Sequence, residues 1–187
     1  MQTRESYPIT IAGIKRDLPL FEVKPGLRIA ILNILGDVEL VDACAQELNR
    51  LLADTEFDII LTPEAKSIPI AHMLAKESGK PYIVLRKEYK PYMGEALSTE
   101  TMSITTGKVQ RLYLDEKDID LIKGKRVVLL DDVISTGSTL QGMHMIMDKA
   151  GAITAREVGI LTEGDRAEWR NIVSLGHLPL FFGEQGN

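Results

Sequence analysis

Cysteine is almost missing from this chain of 187 residues: Cys44 stands alone, so the chain can form no internal disulfide and no Cys-based zinc site. Cys44 falls within a helical apolar pattern and reads as a small core residue rather than a reactive thiol. Histidine is nearly as scarce. His72, His144 and His177 lie far apart with no Cys or His partner at ligand spacing, and read as structural or surface residues. Positive charge is in deficit, with 22 Lys and Arg against 27 Asp and Glu. The net charge of −5 argues against a general nucleic-acid binder, which needs a basic face. No apolar run approaches the ~20 residues of a membrane span, and Met1–Arg16 holds no signal-peptide core. The expectation is a soluble cytoplasmic protein with no membrane and no nucleic-acid partner. Neither a Walker A loop nor Gly-x-Gly-x-x-Gly occurs, and no internal repeat or low-complexity segment is visible. The length suggests one domain, and 44% hydrophobic residues suffice for a substantial core.

What is present is concentrated in residues 126–140, Arg-Val-Val-Leu-Leu-Asp-Asp-Val-Ile-Ser-Thr-Gly-Ser-Thr-Leu. Val127–Leu130 reads as a buried strand, and Asp131 and Asp132 fall where it should end. Ser135, Thr136, Gly137, Ser138 and Thr139 form a small, hydroxyl-rich loop. Leu140, Met143, Met147 and Ala150 then recur at helical spacing, with Met143, Met145 and Met147 as filler of core gaps. A loop feeding a helix N-terminus presents unpaired N–H groups and the positive end of a dipole, which suits a phosphate. Two carboxylates beside a phosphate must face something else, such as sugar hydroxyls or a divalent cation. A phosphorylated ribose meets both demands.

The rest of the chain supplies a frame. Residues 1–26 read as irregular, punctuated by Pro8, Pro19 and Pro25, with short strands at 9–11 and 20–23 and a strand-like run at 27–35. Asp37 caps a helix carrying Val41, Cys44, Ala45, Leu48, Leu51 and Leu52. A strand at 57–62, a turn at 63–67, a helix at 68–78 closed by Gly79 and a strand at 81–86 follow. Residues 87–106 are polar with almost no core pattern; with the weak alternation at 109–114 they read as a loose hairpin with a mobile tip, the mark of a lid. A strand at 157–161, a short helix at 165–172 with Trp169 inward, and a last strand at 177–182 complete the order. Four apolar strands separated by helices or long connections predict an α/β fold, a parallel sheet covered on both faces. Its strand C-termini share one edge, where ligands bind. The acid pair, the turn with the point charge of Lys66, and the basic cluster Arg86, Lys87 and Lys90 all start at that edge.

Val128–Thr139 resembles the phosphoribosyl-pyrophosphate motif of the type I phosphoribosyltransferases. Pro25-Gly26-Leu27, Pro63-Glu-Ala65, Val84-Leu-Arg-Lys87 and Leu178-Pro-Leu-Phe-Phe182 extend the resemblance, closest to the adenine phosphoribosyltransferases, over roughly residues 25–183. It implies the type I fold, with a small hood built from about 1–35 and 176–187 and a mobile lid at about 87–110. It assigns the ribose hydroxyls to Asp131 and Asp132, and the 5′-phosphate to Ser135–Thr139. Pyrophosphate falls to Ala65, Lys66, Ser67, Arg86, Lys87 and Lys90, with a cis peptide at Ala65–Lys66. The base falls to Leu27, Arg28, Ile29 and Val133. Mg²⁺ is the implied cofactor, carried by the substrate and touching Asp131 and Asp132. From their place in the lid, Glu95 or Glu100 is the candidate for proton transfer. The implied reaction is transfer of phosphoribosyl from phosphoribosyl pyrophosphate to a purine, adenine foremost, by a homodimer. The alternatives are a xanthine or guanine phosphoribosyltransferase, or a regulator that senses phosphoribosyl pyrophosphate without turnover. The adenine pattern has Phe-Arg-Asp after Pro-Gly, where this chain has Ile29-Ala30-Ile31. It has Arg-Gly in the turn, where this chain has Lys66-Ser67.

Overall fold

Five parallel strands, β4 (Ile59–Pro63), β5 (Tyr82–Leu85), β8 (Arg126–Ile134), β9 (Ile153–Glu163) and β10 (Val173–Leu178), form the central sheet in the order β10-β9-β8-β4-β5. The computed structural model describes residues 5–102 and 109–183. Ile59–Pro63 and Val127–Asp132 are buried without a break, which is why these strands read as apolar runs rather than alternations. Helices α1 (Val38–Leu51) and α2 (Ile68–Ser78) close one face, over Ile60, Val128, Leu130, Val158 and Ile160. Helix α4 (Ser138–Ala150) closes the other, over Leu61, Val127 and Leu129. The parallel α/β sheet flanked by helices expected from the sequence is the fold observed.

The chain leaves β4 toward β5 on one side, while β8 joins on the other and continues to β9 and β10. The crevice of such a sheet opens where that order reverses, at the C-terminal ends of β4 and β8. Thr62 Oγ1 donates to Leu130 O at 2.9 Å and ties the two strands there.

A second, antiparallel sheet is built from β1 (Ser6–Ile11), β2 (Ile14–Lys24), β3 (Leu27–Ala30) and β11 (Phe181–Phe182). The short strands expected at 9–11 and 20–23 lie within β1 and β2, which form a regular hairpin over 6–24 rather than an irregular stretch. Its consecutive charged residues, Lys15, Arg16 and Asp17, mask the alternation. The run at 27–35 is a strand only to Ala30. The last strand divides at Pro179: Val173–Leu178 joins the parallel sheet, and only Phe181–Phe182 pairs with β3.

Three other expectations change. Strand β8 runs on to Ile134, because β9 pairs with it as far as Ile134↔Thr162, so the acid pair lies within the strand. Residues 165–172 form successive turns rather than a helix. The polar stretch after residue 87 is more ordered than its composition suggests. Strands β6 (Leu97–Met102) and β7 (Val109–Leu114) pair in register, with Thr99, Thr101, Leu112 and Leu114 buried against α4. Gly142 admits this contact, since a Cβ there would stand 2.9 Å from Leu112 Cδ1. Residues 103–108 of the expected lid lie outside the described residues. Helix α3 (Glu116–Ile122), capped by Asp115, has no counterpart in the sequence reading.

Candidate active site

Gly137 makes the turn from β8 into α4, with φ +73° as N-cap of the helix. No side chain caps that end, and the N–H groups of Thr136 to Thr139 meet no acceptor among the described residues. Thr136 Oγ1 and Ser138 Oγ stand 3.1 Å apart within the loop. Trp169 lies against the loop, held by a 2.8 Å bond from its Nε1 to Glu163 O. The result is a preformed cradle of free amides and hydroxyls at a helix N-terminus, the chemistry of an anion site.

Asp131 and Asp132, 8% and 7% exposed, follow each other at the cradle's entrance. The Asp132 N–H donates to Asp131 Oδ1 at 2.9 Å. Burial and the neighbouring Asp132 charge push the Asp131 carboxyl up, with Lys87 offsetting part of the rise. Asp132 is approached by Lys66 Nζ, 2.7 Å from Oδ2. The contact lacks hydrogen-bond geometry, and the ammonium acts there as a point charge. The same ammonium donates to Leu32 O at 3.2 Å. Lys66 therefore joins the turn after β4, the acids of β8 and the exit of β3. Lys66→Met is expected to lower stability by about 1–2 kcal/mol, because it strips a buried carboxylate of its counter-charge. A denaturant midpoint unchanged from wild type would contradict that.

The turn after β4 holds a cis peptide at Glu64–Ala65, one bond before the expected Ala65–Lys66. Glu64 is what the chain anchors there. Its N–H donates to Leu85 O at 2.9 Å, and its carboxylate accepts from Arg86 Nε at 2.5 Å and from the Lys87 N–H at 2.6 Å. Arg86 is thus locked onto Glu64, which holds its guanidinium above the usual arginine range, instead of standing free for a phosphate. Ser67 turns its hydroxyl inward to Pro63 O at 2.7 Å.

One cavity of about 480 Å³ unites nine of the nineteen expected residues; Asp132 and the expected pyrophosphate residues Ala65, Lys66, Ser67, Arg86 and Lys87 are not in its wall. Its walls include Asp131, Val133 and the whole Ser135–Thr139 loop, together with Leu27 and Ile29 of the antiparallel sheet. Arg28 is not among them. Side chains alternate along β3, so Arg28 faces the other way and pairs with Glu5 at 2.6 Å. Arg28→Ala is expected to leave ligand affinity unchanged and to cost under ~1 kcal/mol, as exposed pairs do. A tenfold change in affinity would return Arg28 to the site.

Lys90, Glu95 and Glu100 also stand outside the cavity wall. Lys90 pairs with Glu88 at 2.9 Å, and Glu100 pairs with Arg111 at 2.5 Å across the β6–β7 hairpin. Glu95 is exposed, and its N–H donates to Glu116. The hairpin does reach the cradle through Gln110, whose Nε2 donates to Thr139 Oγ1 at 3.1 Å. The sequence reading missed Val23, Lys24, Glu163, Gly164 and Leu180, all in the cavity wall. Glu163 had a signal: it ends an apolar strand, as Asp131 was thought to. Among the described residues no cluster of three or more His, Cys, Asp or Glu could cage a metal ion. No described helix is long and apolar enough to cross a membrane.

Comparison with known proteins places this architecture. Residues 30–169 match the phosphoribosyl transferase domain. A hypoxanthine/guanine phosphoribosyltransferase of Methanococcus voltae is 32% identical over 164 residues, covering 88% of this chain and 80% of that protein. An adenine phosphoribosyltransferase of Kosmotoga olearia is 31% identical, covering 78% of this chain and 83% of that protein. The purine biosynthesis transcriptional repressor of Bacillus subtilis is 26% identical over 148 residues. That match covers 79% of this chain, which spans about half (51%) of the repressor's length. In structure, an adenine phosphoribosyltransferase of Thermoanaerobacter pseudethanolicus superposes with a TM-score of 0.67 at 24% identity, over 92% of this chain and 95% of that one. The likeness shows a shared fold.

Proposed function

Because the chain belongs to the phosphoribosyl transferase domain family, we propose that it transfers 5-phosphoribosyl from phosphoribosyl pyrophosphate to a purine base, adenine foremost, releasing pyrophosphate. The observation that carries this reading is one cavity joining an uncapped amide cradle, the buried Asp131 and an apolar wall. The cradle amides of Thr136–Thr139 hold the 5′-phosphate. Asp131 and Asp132 accept hydrogen bonds from the ribose hydroxyls, with Lys66 released from Asp132 toward the departing pyrophosphate. Leu27, Ile29 and Val133 sandwich the base. The antiparallel sheet serves as the hood, and the β6–β7 hairpin as the lid.

The reaction asks the protein for placement rather than covalent chemistry. A base nitrogen must stand against the anomeric carbon while that carbon's bond to pyrophosphate breaks and positive charge builds on the sugar. The buried carboxylates stabilise that charge, and the dry apolar wall keeps water from attacking in the base's stead. Two neighbouring carboxylates without a third ligand suit a divalent cation held mostly by substrate oxygens, as Mg²⁺ commonly is. Asp131 and Asp132 would touch it, and bound there it would neutralise the leaving pyrophosphate.

The decisive assay is pyrophosphate release with Mg²⁺ and a panel of adenine, guanine, hypoxanthine and xanthine. Release with adenine supports the main reading. Release only with the 6-oxopurines favours the second, to which the Methanococcus relative lends weight. Binding of phosphoribosyl pyrophosphate with no release from any base moves the chain to a non-catalytic sensor, a reading to which the likeness to the Bacillus transcriptional repressor lends weight. The family resemblance further leads us to expect a homodimer, which sedimentation would test.

A further inference from the structure

Lys24 stands in the cavity wall and has no part in the transfer chemistry described above. Strand register puts it there. β2 pairs with β3 as Leu20↔Ala30, Phe21↔Ile29 and Glu22↔Arg28, and then as Lys24↔Leu27. Val23 is the extra residue of a bulge, a device that re-aims the side chains after it. Residues opposite each other in an antiparallel pair share a face, and neighbours along a strand alternate. Leu27 and Ile29 face the cavity, and Arg28 faces away to Glu5. Without the bulge, Lys24 would lie on the face of Leu20 and Glu22, with Arg28. The extra residue turns it to the side of Leu27 and Ile29, into the cavity.

Its choice of partner there is narrow. The other charged residues of the wall are Asp131 and Glu163, so Lys24 is the wall's one cation among the described residues. It forms no ion pair among them, and the carboxylate nearest in sequence, that of Glu22, accepts instead from the Gly26 N–H at 2.9 Å. Lys66 and Lys87, expected at the pyrophosphate, are outside this wall. The anion site that the cavity does hold is the cradle of Ser135–Thr139, a loop with no Lys or Arg of its own. Its amides and hydroxyls are neutral donors, and a helix N-terminus adds only about half a positive charge. A phosphate dianion seated there, near Asp131, is short of positive charge. An ammonium reaching in from the antiparallel sheet supplies it as a charge-assisted hydrogen bond.

Resting on the transfer reading, we propose that Lys24 binds the ligand's 5′-phosphate from across the cavity, so that the antiparallel sheet closes on the phosphate as well as on the base.

The test is calorimetric titration of the wild-type chain, Lys24→Met and Lys15→Met with ribose 5-phosphate, AMP and adenosine. No pyrophosphate is added, so nothing turns over. Met keeps most of the lysine stem and removes the charge. Lys24→Met should bind ribose 5-phosphate and AMP at least about tenfold less tightly than wild type, the usual yield of a charge-assisted bond. It should bind adenosine, which lacks the phosphate, as wild type does. Lys15 is on the same strand but outside the cavity wall, and Lys15→Met should keep wild-type affinity for all three. Wild-type affinity of Lys24→Met for both phosphates, a loss for adenosine as large as that for AMP, or an equal loss in Lys15→Met would overturn the proposal. A chain that shows the Lys24 effect yet releases no pyrophosphate with any base would leave this contact standing and remove the transfer reading.

Discussion

Asp131→Asn is expected to weaken phosphoribosyl pyrophosphate roughly 10- to 100-fold while making the folded protein more stable at neutral pH. The first half follows from the loss of a charged acceptor for a ribose hydroxyl, worth about 1.5–3 kcal/mol. The second follows from burial. Asp131 sits beside Asp132 in the dry end of β8, and its carboxyl is pushed up from the ordinary aspartate value. A raised folded value means that the protonated form is the one the fold favours. Its contribution to stability is whole below the unfolded pKa, about 3.9, and is lost as the pH rises through the folded value. At pH 8 the wild type therefore carries a penalty that asparagine does not. A gain on the order of 1 kcal/mol corresponds to roughly 2–4 °C in a chain of this size. The two melting curves should converge toward pH 4. Melting the pair across that range checks this, and a variant less stable than wild type at pH 8 would show that burial of Asp131 is not penalised.

Gly137→Val is expected to do the opposite to stability and as much harm to binding. Gly137 holds φ +73°, and a Cβ there would stand 3.0 Å from Trp169 Cη2 and 3.5 Å from Cζ3. Trp169 cannot swing aside without giving up its bond to Glu163 O. A β-branched residue in that backbone region costs about 1–3 kcal/mol, and the loop must shift to relieve it. The four amides then lose their common focus, and phosphoribosyl pyrophosphate should bind at least about tenfold less well. Gly79→Val separates the causes. Gly79 has φ +67° with nothing within 4 Å of a Cβ, at the far end of α2. It should lose comparable stability and keep full affinity. Equal affinity loss in both variants would mean that the Gly137 effect is global rather than local.

The parts of this protein that declare themselves in the sequence are those where one chemistry is packed into few residues. Asp131-Asp132 and Ser135–Thr139 combine charge, hydroxyls and a turn between two unambiguous elements, and no ordinary surface loop needs that combination. Strands β4 and β8 were as plain, since burial on both faces leaves them few polar positions. The antiparallel sheet was hidden because it carries a run of charged residues and a proline in each of its first two strands, Pro8 opposite Asp17 and Pro19 opposite Ser6. Strand β6 was hidden because Thr99 and Thr101 look polar yet are buried against α4. Arg28 could have been set aside from the alternation of β3 alone. The ion pairs of Arg86 with Glu64 and of Glu100 with Arg111 could not, because each depends on a partner that only the fold brings near.

The central claim concerns four main-chain amides. Titration of the isotopically labelled chain with ribose 5-phosphate, followed by amide NMR, addresses them one by one. The account predicts that the N–H signals of Thr136, Gly137, Ser138 and Thr139 move together and saturate with a single affinity. Movement centred elsewhere, with those four unchanged at saturation, would contradict it.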